Sequence, residues 1–334
     1  MLKRFFCVLC VLALLLSLAA CGSRPTDIMD QGASQFSLGK SEDDYSLKHS
    51  GDLLDELIDN YSGSFIIPEQ EELTDDEFED MAGESGLDKD DLTPDNVAIP
   101  TVSNREELAR VIFDVMAVPA ETVTYRPVNG YVPNYSADID WICCQLERWD
   151  PIIGTGVDYW SSWNNGSEYV IFLNYSFTLD EVIRMRDTAR DYTARVAREL
   201  ERPGMSDYER CYAVNEYLCD TVYYPPNEPY APVTHSVYGA LVDGCAVCEG
   251  YACAAAAIIR AMGGNCDIEV GPCGDGYHAW NLALVDGNWY QLDVCWNDGG
   301  DRQMFFLVTD AFMLQSRSWE FSDWPATPSL PYSP

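Results

Sequence analysis

Three histidines and no lysine beyond Lys89 are the first constraints this 334-residue sequence sets. Twenty Lys/Arg face 55 Asp/Glu, for a formal charge of −35. A chain so poor in cations has little with which to neutralise a polyphosphate backbone, and nucleic-acid binding is excluded as a reading. Scarce histidine narrows acid–base chemistry too, because past His49 only His235 and His278 titrate near neutral pH. It also starves a metal site. Zinc would need Cys245 and Cys248 plus two ligands drawn from Cys253, Cys266, Cys273 or His278, at spacings that fit no familiar site. No metal and no cofactor is expected.

Cysteine, by contrast, is plentiful at thirteen. Cys7 and Cys10 fall within Met1 to Ala20, where Lys3-Arg4 precede an apolar run from Phe5 to Leu18. That run is too short for a membrane span and has the layout of a signal peptide. Leu18-Ala19-Ala20-Cys21-Gly22 resembles a bacterial lipobox. The resemblance implies cleavage before Cys21, diacylation of its sulfur, and an extracytoplasmic protein anchored to the membrane rather than spanning it. An ordinary secretory signal is the alternative. Ten cysteines remain, and if one is kept as a nucleophile the other nine cannot all pair. Most, such as Cys211 and Cys219, read as small core residues.

Residues 21–100 read as an acidic, mostly disordered tether. From 22 to 100 there are 22 Asp/Glu against 4 Lys/Arg, with little periodicity beyond a brief helix at Leu53 to Ile58. Order is expected from Thr101. An α/β portion at 101–177 should hold a helix to Met116 capped by Ser103 with Glu106, a strand at Glu121 to Tyr125, and a helix at Asp138 to Trp149. A hairpin, Val157 to Trp163 and Glu168 to Phe177, should turn at Asn165-Gly166, which with Ser167 also fits a glycosylation sequon. This portion offers no chemical constellation. In 178–334, capped helices begin at Thr178 and Ser206, and the proline-rich stretch Tyr223 to Pro232 is a candidate substrate-facing loop. Strands are expected at 266–270, 278–285, 288–296 and 305–308, then a short helix and a proline-rich tail.

The chemistry concentrates around Gly244-Cys245-Ala246-Val247-Cys248-Glu249-Gly250-Tyr251-Ala252. Cys248 to Met262 is alanine-rich, lacks proline and is stopped by Gly263-Gly264, so the spacing predicts a helix opening at Cys248. There, unpaired N–H groups and the positive end of the macrodipole favour thiolate. Downstream, Asp286-Gly287 signals a two-residue turn between strand-like runs. Counting back from that turn pairs Trp280 with Asp293, which makes His278 and Asp293 diagonal neighbours on one face, roughly 7 Å apart and bridgeable. Asp293 can then orient the imidazole while His278 activates the Cys248 thiol.

With His235-Ser236-Val237-Tyr238-Gly239-Ala240-Leu241, Ala246 to Ala252, His278-Ala279-Trp280-Asn281, Leu292-Asp293-Val294 and Trp296-Asn297-Asp298 in this order, the sequence resembles the transglutaminase-like superfamily, from about Thr178 to Asp310. The resemblance implies an α+β, papain-related fold with a nucleophile at a helix N-terminus packed on an antiparallel sheet. It implies Cys248 as nucleophile, His278 as base and Asp293 as the third member. Two positions depart: lysine is common in the family where Cys245 stands, and threonine or serine where Cys295 stands.

His235 and Trp280 are candidates for lining the substrate site or aiding an oxyanion hole, beside the backbone N–H of Cys248. Cys245 and Cys248 also form a C-x-x-C pair, so Cys245 is a candidate redox partner. The expected function is a surface-anchored cysteine hydrolase acting on peptide, protein or cell-wall peptide amides through a thioester. A non-catalytic binding module of the same fold and a thiol redox protein are the alternatives.

Overall fold

A computed structural model describes residues 71–85, 98–225, 231–274, 276–319 and 325–334. The signal segment, Cys21, the brief helix expected at Leu53 to Ile58 and part of the proline-rich stretch lie outside the described residues. Among those described, no helix is long and apolar enough to cross a membrane.

Order begins before Thr101. Strand β1 (Glu71–Glu72) pairs in parallel with β4 (Val157–Asn164), and helix α1 (Asp75–Ser85) follows. The acidic composition conceals a short apolar stripe: Leu73, Phe78 and Ala82 are buried, and the Phe78 ring stacks on Trp163 at 4.1 Å. The carboxylates stay on the outside, and Trp163 Nε1 donates to Asp75 Oδ1 at 3.1 Å.

Strands β2 (Thr101–Val102), β3 (Thr122–Pro127) and β5 (Tyr169–Tyr175) complete a five-stranded sheet in the order β1-β4-β5-β3-β2. Alternation along β5 divides its side chains between two cores. Ile171 and Leu173 join α2 (Arg105–Ala117) and α3 (Tyr135–Trp149), whereas Val170 and Phe172 meet Phe78. The cap of α2 sits one residue later than expected. Asn104 Oδ1 accepts the Glu107 N–H, while Ser103 donates to the Glu107 carboxylate. Asn104 wins because its side-chain oxygen reaches the N3 amide from that position.

Helices α4 (Leu179–Leu200) and α5 (Asp207–Thr221) carry the expected capping boxes at Thr178/Glu181 and Ser206/Glu209. They pack around α6 (Cys248–Ala261), which is buried almost throughout. The second sheet, β6-β7-β8, lies against α6. It consists of β6 (Asn265–Cys273), β7 (Gly276–Val285) and β8 (Asn288–Leu292), all antiparallel. Alanines on both elements, including Ala252, Ala255, Ala279 and Ala283, share that core and let the layers approach closely.

The β7–β8 register is the one the turn dictates, with Val285 opposite Asn288 and Asn281 opposite Leu292. The strand expected over 288–296, however, stops at Leu292. Asp293 caps a short helix, α7 (Val294–Asp298), and its backbone N–H goes to Phe305 O at 2.9 Å instead of to β7. The strand expected over 305–308 is reduced to one bridge, Gln291 with Val308, because Leu307 turns to φ 53°. Helix α8 (Asp310–Met313) follows.

The two halves are bound through three arginines, Arg186 buried and Arg148 and Arg260 partly buried. Arg148 of α3 donates to Ile268 O of β6 at 3.1 Å, and Arg260 of α6 returns a bond to Arg148 O at 2.8 Å. Arg186 of α4 donates to Met116 O and Ile153 O.

Candidate active site

Cys248 is the first residue of α6 and is fully buried. Val247 caps the helix without a side-chain acceptor, so the dipole's positive end falls on the thiol unattenuated by a capping oxygen. A short 3₁₀ turn, Pro232–His235, braces this end: Thr234 O accepts the Val247 N–H at 3.0 Å. Gly250 makes the brace possible, because a Cβ there would stand 2.4 Å from Thr234 O.

His278 and Asp293 are both buried to 0% side-chain exposure, and His278 Nε2 lies 2.8 Å from Asp293 Oδ2. With Nε2–H donating to the carboxylate, Nδ1 is the basic nitrogen of the neutral ring. Strand β7 is tied to α6 by Asn281, whose side-chain amide donates to Ala252 O at 2.9 Å and to Asp267 O at 3.1 Å. Asp293 Oδ1 accepts the Trp296 N–H at 3.0 Å.

Arg317, which no local pattern singles out, brings a guanidinium to the same carboxylate. Its Nη1 lies 2.5 Å from the same Oδ2 that His278 uses, in a side chain likewise at 0% exposure. The guanidinium sits 3.9 Å over the Trp296 ring and 4.9 Å from the Trp280 ring. Burial pushes the Asp293 carboxyl up. The charges of His278 and Arg317, with hydrogen bonds from His278 and the Trp296 N–H, overcome it and leave the group at about 2.

Trp280 forms the wall beside the imidazole, the two rings nearly parallel with centroids 6.1 Å apart. Its indole N–H is committed to Gln291 Oε1 at 2.6 Å, so the buried Trp280 ring packs beside the imidazole and has no donor to offer a substrate oxygen in this state. Trp296 also packs on the imidazole, tilted by 40° with centroids 5.2 Å apart.

His235 stands apart from that pair. Its Nδ1 lies 2.7 Å from Glu249 Oε2, one residue past Cys248, and both side chains are partly buried. Burial favours the uncharged form of each: His235 is pushed down to about 4 and Glu249 up to about 7. Glu147, from α3, is pushed well up by burial and by the charge of Glu249, and it also neighbours Cys253. Residues 101–177 thus bring a carboxyl group into the surroundings of α6, which local patterning could not show.

All ten cysteines among the described residues are thiols. Burial raises seven of them, including Cys253, Cys273 and Cys295 near the site, and holds these protonated and unreactive. Cys245 is buried in the turn before α6 and bridges the backbone of Tyr223.

Residues 194–294 match the profile of the transglutaminase-like superfamily, and the match contains Cys248, His278 and Asp293 but not Arg317. No curated protein matches the chain. Among solved structures, the chain is similar to a TGase at 17% identity and TM-score 0.28, covering 52% of this chain and 51% of that one. It is similar to a candidate cysteine protease from Cytophaga hutchinsonii at 13% identity and TM-score 0.26, covering 38% and 52%. It is also similar to a candidate protease from Parabacteroides distasonis ATCC 8503 at 14% identity and TM-score 0.27, covering 39% and 29%. The chain therefore spans about half the length, or less, of the solved structures it matches.

Proposed function

From the match of residues 194–294 to the transglutaminase-like superfamily, we propose that the chain is a cysteine-dependent enzyme that cleaves or transfers amide-linked acyl groups. The observation that carries this reading is the buried His278–Asp293 contact at 2.8 Å, with His278 on a strand fastened to the helix that Cys248 opens. Nδ1 of His278 takes the Cys248 proton, and the thiolate attacks the carbonyl carbon of an amide. The backbone N–H groups of the first turn of α6, led by that of Cys248, hold the developing oxyanion. Collapse of the tetrahedral species breaks the C–N bond, and the imidazolium gives its proton to the departing amine. The remaining thioester is opened by water, whose proton passes to His278, or by a second amine in acyl transfer. Either route restores the thiol.

The substrate class is peptide, protein or cell-wall peptide, met outside the cytoplasm by a protein anchored through lipid on Cys21. Lipobox-like Leu18 to Cys21 and the acidic stretch behind it support that placement. The decisive experiment incubates wild type and Cys248→Ala with peptide and peptidoglycan-peptide amides, adding hydroxylamine to intercept a thioester as the hydroxamate. Amine release and hydroxamate should form with wild type alone. Equal output from the two proteins would refute the enzyme reading and leave a binding module of the same fold.

A further inference from the structure

We propose that Arg317 is a positioning residue that keeps Asp293 ionised in both protonation states of His278, and so leaves the imidazole able to release its proton. The inference rests on the acyl-transfer reading for its meaning but on separate observations for its substance. Asp293 is wholly buried, and in the reaction above His278 is positively charged for only part of each turnover. Were His278 its only cation, the carboxylate would be stranded as a lone buried anion each time the ring became neutral. Breaking a buried pair in that way is strongly unfavourable, so the pair would instead retain the proton. A guanidinium, charged at every working pH, removes that constraint. Because Arg317 Nη1 and His278 Nε2 meet the same oxygen, the guanidinium also repels a proton on the ring.

The fold delivers this side chain deliberately. The segment after α8 returns to the outer edge of β6, where Ser318 N bonds to Pro272 O at 3.0 Å and Arg317 bridges Cys273. It passes so close over Gly271 that a Cβ there would stand 1.9 Å from Ser318 O. Gly271 is the residue paired with His278 across the β6–β7 ladder. The crossing that brings in the arginine therefore lies directly beside the histidine it serves. The other titratable groups around this centre are Cys248 from α6, Cys295 from α7, Cys273 from β6, and Asp298, which Tyr251 OH holds at 2.6 Å. Arg317 is the permanent cation among those that face it.

The test is titration of the His278 ring by NMR in wild type, Arg317→Gln, Arg317→Lys and Gly271→Ala, with the resonance assigned through His278→Gln. Arg317→Gln should raise the ring pKa by about one to three units. It should also lower kcat by about 10- to 100-fold with KM little changed. Gly271→Ala should do the same by pushing the crossing segment away, and Arg317→Lys should keep the ring near its wild-type value. If Arg317→Gln does not fold, the contrast between Arg317→Lys and Gly271→Ala carries the test. A ring that titrates identically in every folded variant overturns the proposal. Because the titration is read without substrate, a wild type that turns over no amide would defeat the proposed function while leaving this result intact.

Discussion

Asn281 and Ala252 join the two elements that carry the proposed reacting groups: the Asn281 amide, on the strand of His278, donates to the Ala252 carbonyl in the helix that Cys248 opens. A second bond from the same amide reaches Asp267 O on β6. Asn281→Ala should cost about 1–3 kcal/mol in stability, because buried carbonyls lose their donor. It should lower turnover by more than the loss of folded protein explains, since small displacements of a reacting group are costly. Urea unfolding alongside kcat measured well below the melting transition checks both; unchanged kcat would show that the link serves packing only.

Asp293→Asn should slow turnover by orders of magnitude, because an amide can hold the imidazole in the wrong tautomer. The Arg317 contact adds a second expectation, that this variant loses stability because a buried guanidinium loses its counter-charge. The sign of the pH dependence follows from a carboxyl held at about 2, below its ordinary value of 3.8. Its contribution is present above the ordinary value and disappears as pH falls through about 2. Urea midpoints should therefore fall on acidification toward pH 2 more steeply in wild type than in Asp293→Asn.

Glu249 behaves in the opposite sense. Burial raises it from 4.5 to about 7, so the folded protein binds an extra proton across that interval and loses stability as pH rises through it. Glu249→Gln removes the ionisation while leaving an amide beside His235 Nδ1. The variant should gain stability relative to wild type at pH 8 and show little advantage at pH 4, in thermal melts at the two values. An advantage equal at both would mean that ionisation of Glu249 plays no part.

Cys245 and Cys248 are both buried thiols, three residues apart at the start of α6. Mild oxidation should form a disulfide between them, silencing wild type until a reductant is added. Cys245→Ser should form no such bond and should instead overoxidise at Cys248. Mass spectrometry of the 245–248 peptide decides the matter, and an identical oxidation response in the two proteins would rule out the switch.

Full-length protein should partition with membranes, and Cys21→Ser should be released or remain unprocessed. Fractionation and N-terminal mass analysis of both forms are sufficient. Identical behaviour would remove the lipid anchor from the proposal.

Local signals carried the parts of the structure that local physics decides. Thr178/Glu181 and Ser206/Glu209 start helices because their capping partners are three residues away. Asp286-Gly287 sets the hairpin register because a two-residue turn leaves only one pairing. The point where β8 ends was hidden, since it depends on Asp293 capping α7 and on Phe305 O accepting the Asp293 N–H. The ordered stretch at 71–85 was masked by its acidic composition, although Leu73, Phe78 and Ala82 already traced a face. Arg317 was illegible for a simpler reason: 24 residues separate it from Asp293, and no periodicity links them.

That separation sets an order of assembly. The ribosome releases the Cys248 helix and both histidine-bearing stretches well before the segment that crosses Gly271. Until that segment arrives, Asp293 lacks the Arg317 counter-charge, and by the proposal above the nascent site could not cycle a proton. On the proposed acyl-transfer reading, the chain would thereby stay unarmed while its own unfolded backbone is the nearest amide.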